Sequence, residues 1–102
     1  MTEELDPVIH AQARLRVMAT LSTLGTGDRI AFPRLQELLA MTAGNLSVHL
    51  AKLEQAGYVD IAKSFRGRTP VTSVSMSTRG RAAFEAYTAA VKALLDPPKE
   101  DP

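Results

Sequence analysis

The 102-residue sequence contains no cysteine. Disulfides, thiolate metal sites and a cysteine nucleophile are thereby excluded. The lack also suits a reducing compartment, so a cytoplasmic location is expected. No apolar run approaches the roughly 20 residues needed to cross a bilayer, so no membrane partner is expected. The opening Met1-Thr2-Glu3-Glu4 is acidic and polar, unlike a secretory signal. Carboxylates paired in an apolar setting are missing, and Gly25-Thr26-Gly27 reads as a loop, not a phosphate-binding motif. Ser47 and His49 lie two positions apart, about 200° around a helix, so they cannot form a nucleophile–base pair. Without converging titratable groups there is no catalytic residue to name, and no cofactor is expected.

What is present suits one domain of ordinary composition, 45% hydrophobic. The net charge of +1 hides an uneven distribution. Between Ala43 and Arg81, six basic residues (Lys52, Lys63, Arg66, Arg68, Arg79 and Arg81) face two acidic ones, Glu54 and Asp60. A near-neutral chain can therefore carry a locally positive face, as a phosphate backbone requires, or simply scattered surface charge.

Periodicity orders the chain. Asp6-Pro7 reads as a helix start, with a helix from Val8 to about Leu24 ended by Gly25-Thr26-Gly27-Asp28. Its apolar residues cover more than one stripe, one for the core and one for a partner subunit. Arg29-Ile30-Ala31 suggests a very short strand. Phe32-Pro33 opens a second helix ending near Ala40-Met41. Thr42 caps a third from Ala43 to about Ala56, with Leu46, Leu50 and Leu53 on one face. Gly57 follows where a left-handed residue is commonly needed. The period then changes to two. Val59, Ile61 and Phe65 share one face of a strand, with Lys63 the exception, and Thr72, Val74 and Met76 share a face of the next. Arg66-Gly67-Arg68-Thr69-Pro70 supplies the turn between them. Thr78 is read as the cap of a last helix to about Leu95, with Phe84, Tyr87, Val91 and Leu94 along one stripe and Pro97-Pro98 as its stop. Residues 1–5 and 96–102 are expected to be disordered, leaving 6–95 as the domain. Helix, short strand, helix, helix, strand, strand, helix is an α+β, mostly α order, and it is that of a winged helix-turn-helix.

At this point the residues carry a resemblance. Thr42 to Val59, with its Ser47-Val48-His49-Leu50, Lys52-Leu53 and Ala56-Gly57-Tyr58-Val59, resembles the recognition-helix segment of the ArsR and MarR groups of winged-helix regulators. Lys63-Ser64-Phe65-Arg66-Gly67-Arg68-Thr69-Pro70 resembles the wing of a compact bacterial subgroup, and Thr78-Arg79-Gly80-Arg81 the opening of its final helix. The resemblance implies a homodimer built through the first and last helices, on a partly palindromic DNA site. Val8, Ile9, Leu15, Phe84, Tyr87, Val91 and Leu94 are the expected interface. Metal-sensing relatives use cysteines near the recognition helix or His/Asp clusters on the last helix. This chain has neither, so no metal site is expected.

On the expected DNA face, the small start Thr42-Ala43-Gly44 lets a helix end approach the major groove. Asn45 reads adenine or caps locally. Ser47 reaches phosphate or bonds back to the preceding turn. Val48 meets a thymine methyl or is merely half-exposed. His49 donates to DNA or packs on the second helix. Lys52 and Lys63 suit backbone contact or plain solvation. Arg66, Gly67 and Arg68 suit a minor groove, where arginine reads width and potential, or serve solubility. His10 has no second ligand at metal spacing. The runner-up reading is a winged helix used for protein–protein interaction without DNA binding. Any effector, small molecule or protein, is expected at the dimer seam or through a partner.

Overall fold

A computed structural model describes residues 4–96. Its elements are α1 (Gln12–Ser22), β1 (Ile30–Ala31), α2 (Phe32–Leu39), α3 (Ala43–Gln55), β2 (Val59–Arg66), β3 (Thr69–Met76) and α4 (Thr78–Leu95). The order is that expected from the sequence. The Pro97-Pro98 stop and the expected disorder at either extreme lie outside the described residues. Leu5, expected in a disordered start, is half-buried against the core.

The first helix is shorter than its composition suggests. Asp6 does cap: its Oδ1 accepts from Val8 N–H at 2.8 Å and Ile9 N–H at 3.4 Å. The turn it starts does not propagate. Arg14 Nε donates to the Val8 carbonyl at 2.6 Å, taking the acceptor that a continuing helix would use. Ala11 is then extended (φ −144°, ψ 128°) and α1 begins at Gln12. Val8, Ile9 and His10 are middling helix formers, so a side chain six residues downstream can divert the chain here.

Twelve residues form one core: Ile9, Val17, Met18, Leu21, Leu35, Leu39, Leu46, Leu50, Leu53, Val59, Val74 and Tyr87. Leu46, Leu50 and Leu53 face inward as their spacing requires. Each fully buried aliphatic side chain contributes about 1.5–3 kcal/mol. Two residues expected at a dimer face belong here instead. Ile9 is fully buried, and Tyr87 is 6% exposed with its hydroxyl 2.9 Å from His10 Nδ1. The capped turn folds Ile9 inward, and the N-terminal segment covers Tyr87.

The helix-turn-helix joint is three residues, Ala40 to Thr42. Met41 N–H donates to the Gln36 carbonyl and Ala40 N–H to that of Glu37, both at 3.2 Å. This is a Schellman ending with alanine in the left-handed position (φ 53°, ψ 45°), where glycine is usual. Left-handed alanine costs about 1–2 kcal/mol. Ala40→Gly is therefore expected to stabilise the fold, net of the extra freedom glycine gives the unfolded chain, by about 0.5–1 kcal/mol. A thermal melt checks it; a lowered midpoint would show that the Ala40 methyl packs usefully. Gly57 (φ 80°) ends α3 in the same way, as the sequence suggests.

The sheet is antiparallel in the order β1-β3-β2. Val59 pairs with Met76, Ile61 with Val74, Lys63 with Thr72 and Phe65 with Pro70. Gly67 (φ 63°) occupies the first position of a two-residue turn, where glycine avoids a steric penalty. Burial fades along β2 from Val59 to an exposed Lys63–Arg66 stretch, because only the base of the hairpin rests on helices. Phe65, whose period suggests a place on the packed face, is 73% exposed.

The cap of α4 is Ser77, not Thr78. Ser77 is extended, its Oγ accepts from Gly80 N–H at 2.9 Å, and the same hydroxyl donates to the Gly57 carbonyl at 2.5 Å. Two bonds select it over its neighbour, and one of them crosses to the end of α3. The described chain is elongated, 68 × 25 × 22 Å, with a radius of gyration of 15.9 Å. About 13 Å is usual for 100 residues.

Candidate nucleic-acid interface

The exposed edge of α3 follows from its leucines. With Leu46, Leu50 and Leu53 inside, Gly44, Val48, Ala51 and Gln55 point most directly outward at about 100° per residue. All four are exposed. Three of them are small or β-branched, so this edge is narrow and uncharged. Gln55 and Ala51 were not singled out from sequence, although a helical wheel centred on the leucines finds them.

Thr42 resolves the ambiguity at the helix start. Its Oγ1 accepts from Asn45 N–H at 3.1 Å, so the cap is the threonine. The Asn45 side chain makes no hydrogen bond among the described residues and is exposed, leaving its amide free. Ala43 and Gly44 are exposed, and a methyl added at Gly44 would meet nothing within 4 Å. Gly44 is therefore not demanded by packing within the subunit.

The two flanks of α3 differ. On one side His49 is half-buried, its Nδ1 3.4 Å from Arg14 Nη1 on α1. Lys52 shares a shallow hollow with Pro7, Val8 and Arg14. This brings Arg14 beside the expected site, a residue that sequence reasoning passed over because the contact spans 35 positions. On the other side Ser47, Leu50, Ala51 and Glu54 face Ile61, Lys63 and Thr72 across a cleft of about 340 Å³. The odd-numbered face of β2 therefore looks toward α3.

The wing carries the rest. Lys63, Arg66, Gly67 and Arg68 are all exposed. Arg66 borders a hollow with Phe32 and Pro33 at the start of α2. Among the described residues the one ion pair joins Arg34 to Glu37 at 3.1 Å. Lys52, Lys63, Arg66 and Arg68 join none, so their charge is available to an outside anion. Arg81, counted with the basic stretch, instead donates to the Leu24 carbonyl at 3.3 Å.

Behind the site, Tyr58 follows directly on the α3 ending. Its hydroxyl donates to Asp6 Oδ2 at 2.5 Å. That bond, with burial and the Asp6 charge, holds the phenol above its ordinary value, against an opposing pull from Arg79. No group of three His, Asp or Glu side chains among the described residues is placed to hold a metal ion.

A family model described as a winged helix DNA-binding domain matches residues 13–95. This chain belongs to that family. A protein of Methanocaldococcus jannaschii is 36% identical over 81 residues, covering 78% of this chain and 84% of its own. A solved transcriptional regulator homologue from Pyrococcus horikoshii is 28% identical with a TM-score of 0.79, over 87% of this chain and 85% of that one. A MarR-family regulator from Enterococcus faecalis shares the fold at 19% identity, TM-score 0.71, over 83% and 74%.

In this winged helix DNA-binding domain, α2 and α3 form the helix-turn-helix and β2–β3 the wing. No helix among the described residues is long and apolar enough to cross a membrane.

Proposed function

We propose that this winged helix binds double-stranded DNA sequence-specifically as a homodimeric transcriptional regulator. Helix α3 enters the major groove, and the wing follows the backbone or the adjacent minor groove. One observation carries the reading: an uncluttered α3 edge with an exposed Asn45 amide stands beside a wing whose cations join no ion pair among the described residues. Asn45 suits the N6 and N7 edge of adenine, Val48 a thymine methyl, and Ser47, His49 and Lys52 the phosphates beside them. Arg66 and Arg68 supply the counter-charge at the wing.

Dimerisation is supported by surface that one subunit leaves uncovered. Leu94 is 52% and Leu95 80% exposed at the end of α4, and the radius of gyration exceeds that of a closed domain of this size. Val8, Leu15, Phe84 and Val91 are half-buried. A second copy laid along α1 and α4 would complete their burial. Because Ile9 and Tyr87 already lie inside one subunit, they are poor probes of that seam. Leu94→Glu with Leu95→Glu is the cleaner variant. It is expected to convert the dimer to a folded monomer by sedimentation, with an unchanged circular dichroism spectrum. A persistent dimer would place the seam elsewhere.

The reading as a whole is tested by titrating the protein into mixed-sequence duplex across a range of salt, then selecting bound sites from random DNA. Phosphate contacts release counterions, so affinity should fall steeply and linearly in log–log form. Selected sites should show two half-sites about one helical turn, or a multiple of it, apart. Binding that is absent or indifferent to salt would sink the reading in favour of a protein-interaction module.

A further inference from the structure

We infer that Phe65 is a specificity-determining DNA contact, an apolar wedge carried by the wing into the minor groove. This rests on the DNA-binding reading above and goes beyond it. Phe65 is 73% exposed near the tip of a two-residue turn. Its cross-strand partner Pro70 is itself exposed and, with Arg66, borders the hollow at the start of α2, but Phe65 does not line that hollow. An aromatic left this wet loses most of the burial that usually justifies it.

Its surroundings identify what covers it. Strand alternation puts Phe65 on the same face as Ile61 and Lys63, the face that looks across the cleft to Ser47 and Ala51 of α3. Arg66 is its neighbour and Arg68 caps the turn, while no acidic residue occurs from Ile61 to Ala83. An apolar ring with Lys63 on its own face, Arg66 on the opposite face of the same strand end and Arg68 at the turn, none of them in an ion pair among the described residues, fits a polyanion with an apolar interior, which a duplex groove offers between its sugars and base edges. Proteins that work in the minor groove combine arginine with inserted Phe, Leu or Met in this way. A wedge discriminates through deformability, because pyrimidine–purine steps open more easily than others. The wing then contributes sequence preference as well as charge.

The chain has no tryptophan, so Phe65→Trp places a single reporter at the tip. The full-length variant is titrated with a labelled 30-base-pair mixed-sequence duplex. Label anisotropy reports binding, and tryptophan emission and acrylamide accessibility report the ring. We expect emission to be quenched, and accessibility to fall several-fold, in step with anisotropy. Phe65→Ala should weaken binding roughly 5- to 100-fold, the range for losing one aromatic contact to a base, with the salt slope unchanged because no charge is lost. Phe65→Leu should recover part of that loss. Emission unmoved while anisotropy rises would overturn the wedge and leave DNA binding standing. A ring already shielded before DNA is added would also overturn it, placing Phe65 in a protein contact. No rise in anisotropy at any salt would remove the DNA-binding reading and the wedge with it.

Discussion

Gly80→Ala is expected to lower the melting temperature by about 15–30 °C, although alanine is the better helix former. Within a helix the exchange usually gains about 1 kcal/mol. Here the first turn of α4 lies directly on the backbone that follows α3. A methyl at Gly80 would stand 2.0 Å from the Tyr58 carbonyl oxygen, 2.7 Å from its carbon and 2.9 Å from its Cα. Those are main-chain atoms, with no rotamer to swing aside. Relief requires α4 to back away from Tyr58. That motion pulls on Ser77 N–H, which donates to the Tyr58 carbonyl at 3.1 Å, and on the Ser77 hydroxyl bonded to Gly57. Overpacking costs about 1–3 kcal/mol, and two lost hydrogen bonds about 1 kcal/mol each. A total of about 3–5 kcal/mol is a large share of the 5–15 kcal/mol typical of a domain, and each kcal/mol is worth about 4–8 °C at this size. Gly44→Ala is the control, since nothing lies within 4 Å of its added methyl. A Gly80→Ala melt within a few degrees of wild type would refute the close approach.

Removing both wing arginines should produce the largest loss in DNA affinity. Arg66 and Arg68 are exposed and join no ion pair among the described residues, so each is free to displace a counterion. Each phosphate contact contributes about 0.9 to the slope of log affinity against log salt. Arg66→Ala with Arg68→Ala should therefore flatten the slope by about 1.8 per subunit, which near 0.1 M salt weakens binding on the order of 10²-fold. The loss should be similar for every duplex, because charge alone carries no sequence. Titrations of wild type and variant at four or five salt concentrations decide it. Parallel slopes would take the arginines out of the contact altogether.

Much of this molecule could be read along the chain. Leu46, Leu50 and Leu53 at helical spacing, Thr42 before them and Gly57 after them locate α3 and its exposed edge. Each rule involved acts within a few residues: a cap, a period, a left-handed ending. The hairpin was legible for the same reason, through alternation on either side of Gly67. Three features escaped. Helix α1 starts late because Arg14 takes the Val8 carbonyl. Ser77 is chosen over Thr78 because its hydroxyl also reaches Gly57. Ile9 and Tyr87 turn inward because the N-terminal segment folds across α4. In each case the decisive partner is another element or a side chain beyond the local window.

By itself, then, the order of residues determined which segments are helix or strand, where α3 begins and ends, and which of its sides is apolar. Those properties depend on backbone preferences and burial period, which are local. Only the packed molecule decided which apolar residues are core and which stay bare, why Gly80 cannot bear a methyl, and that Phe65 stands clear of the body. Those depend on atoms brought within a few ångströms by the chain's return on itself, and no short-range pattern encodes such distances.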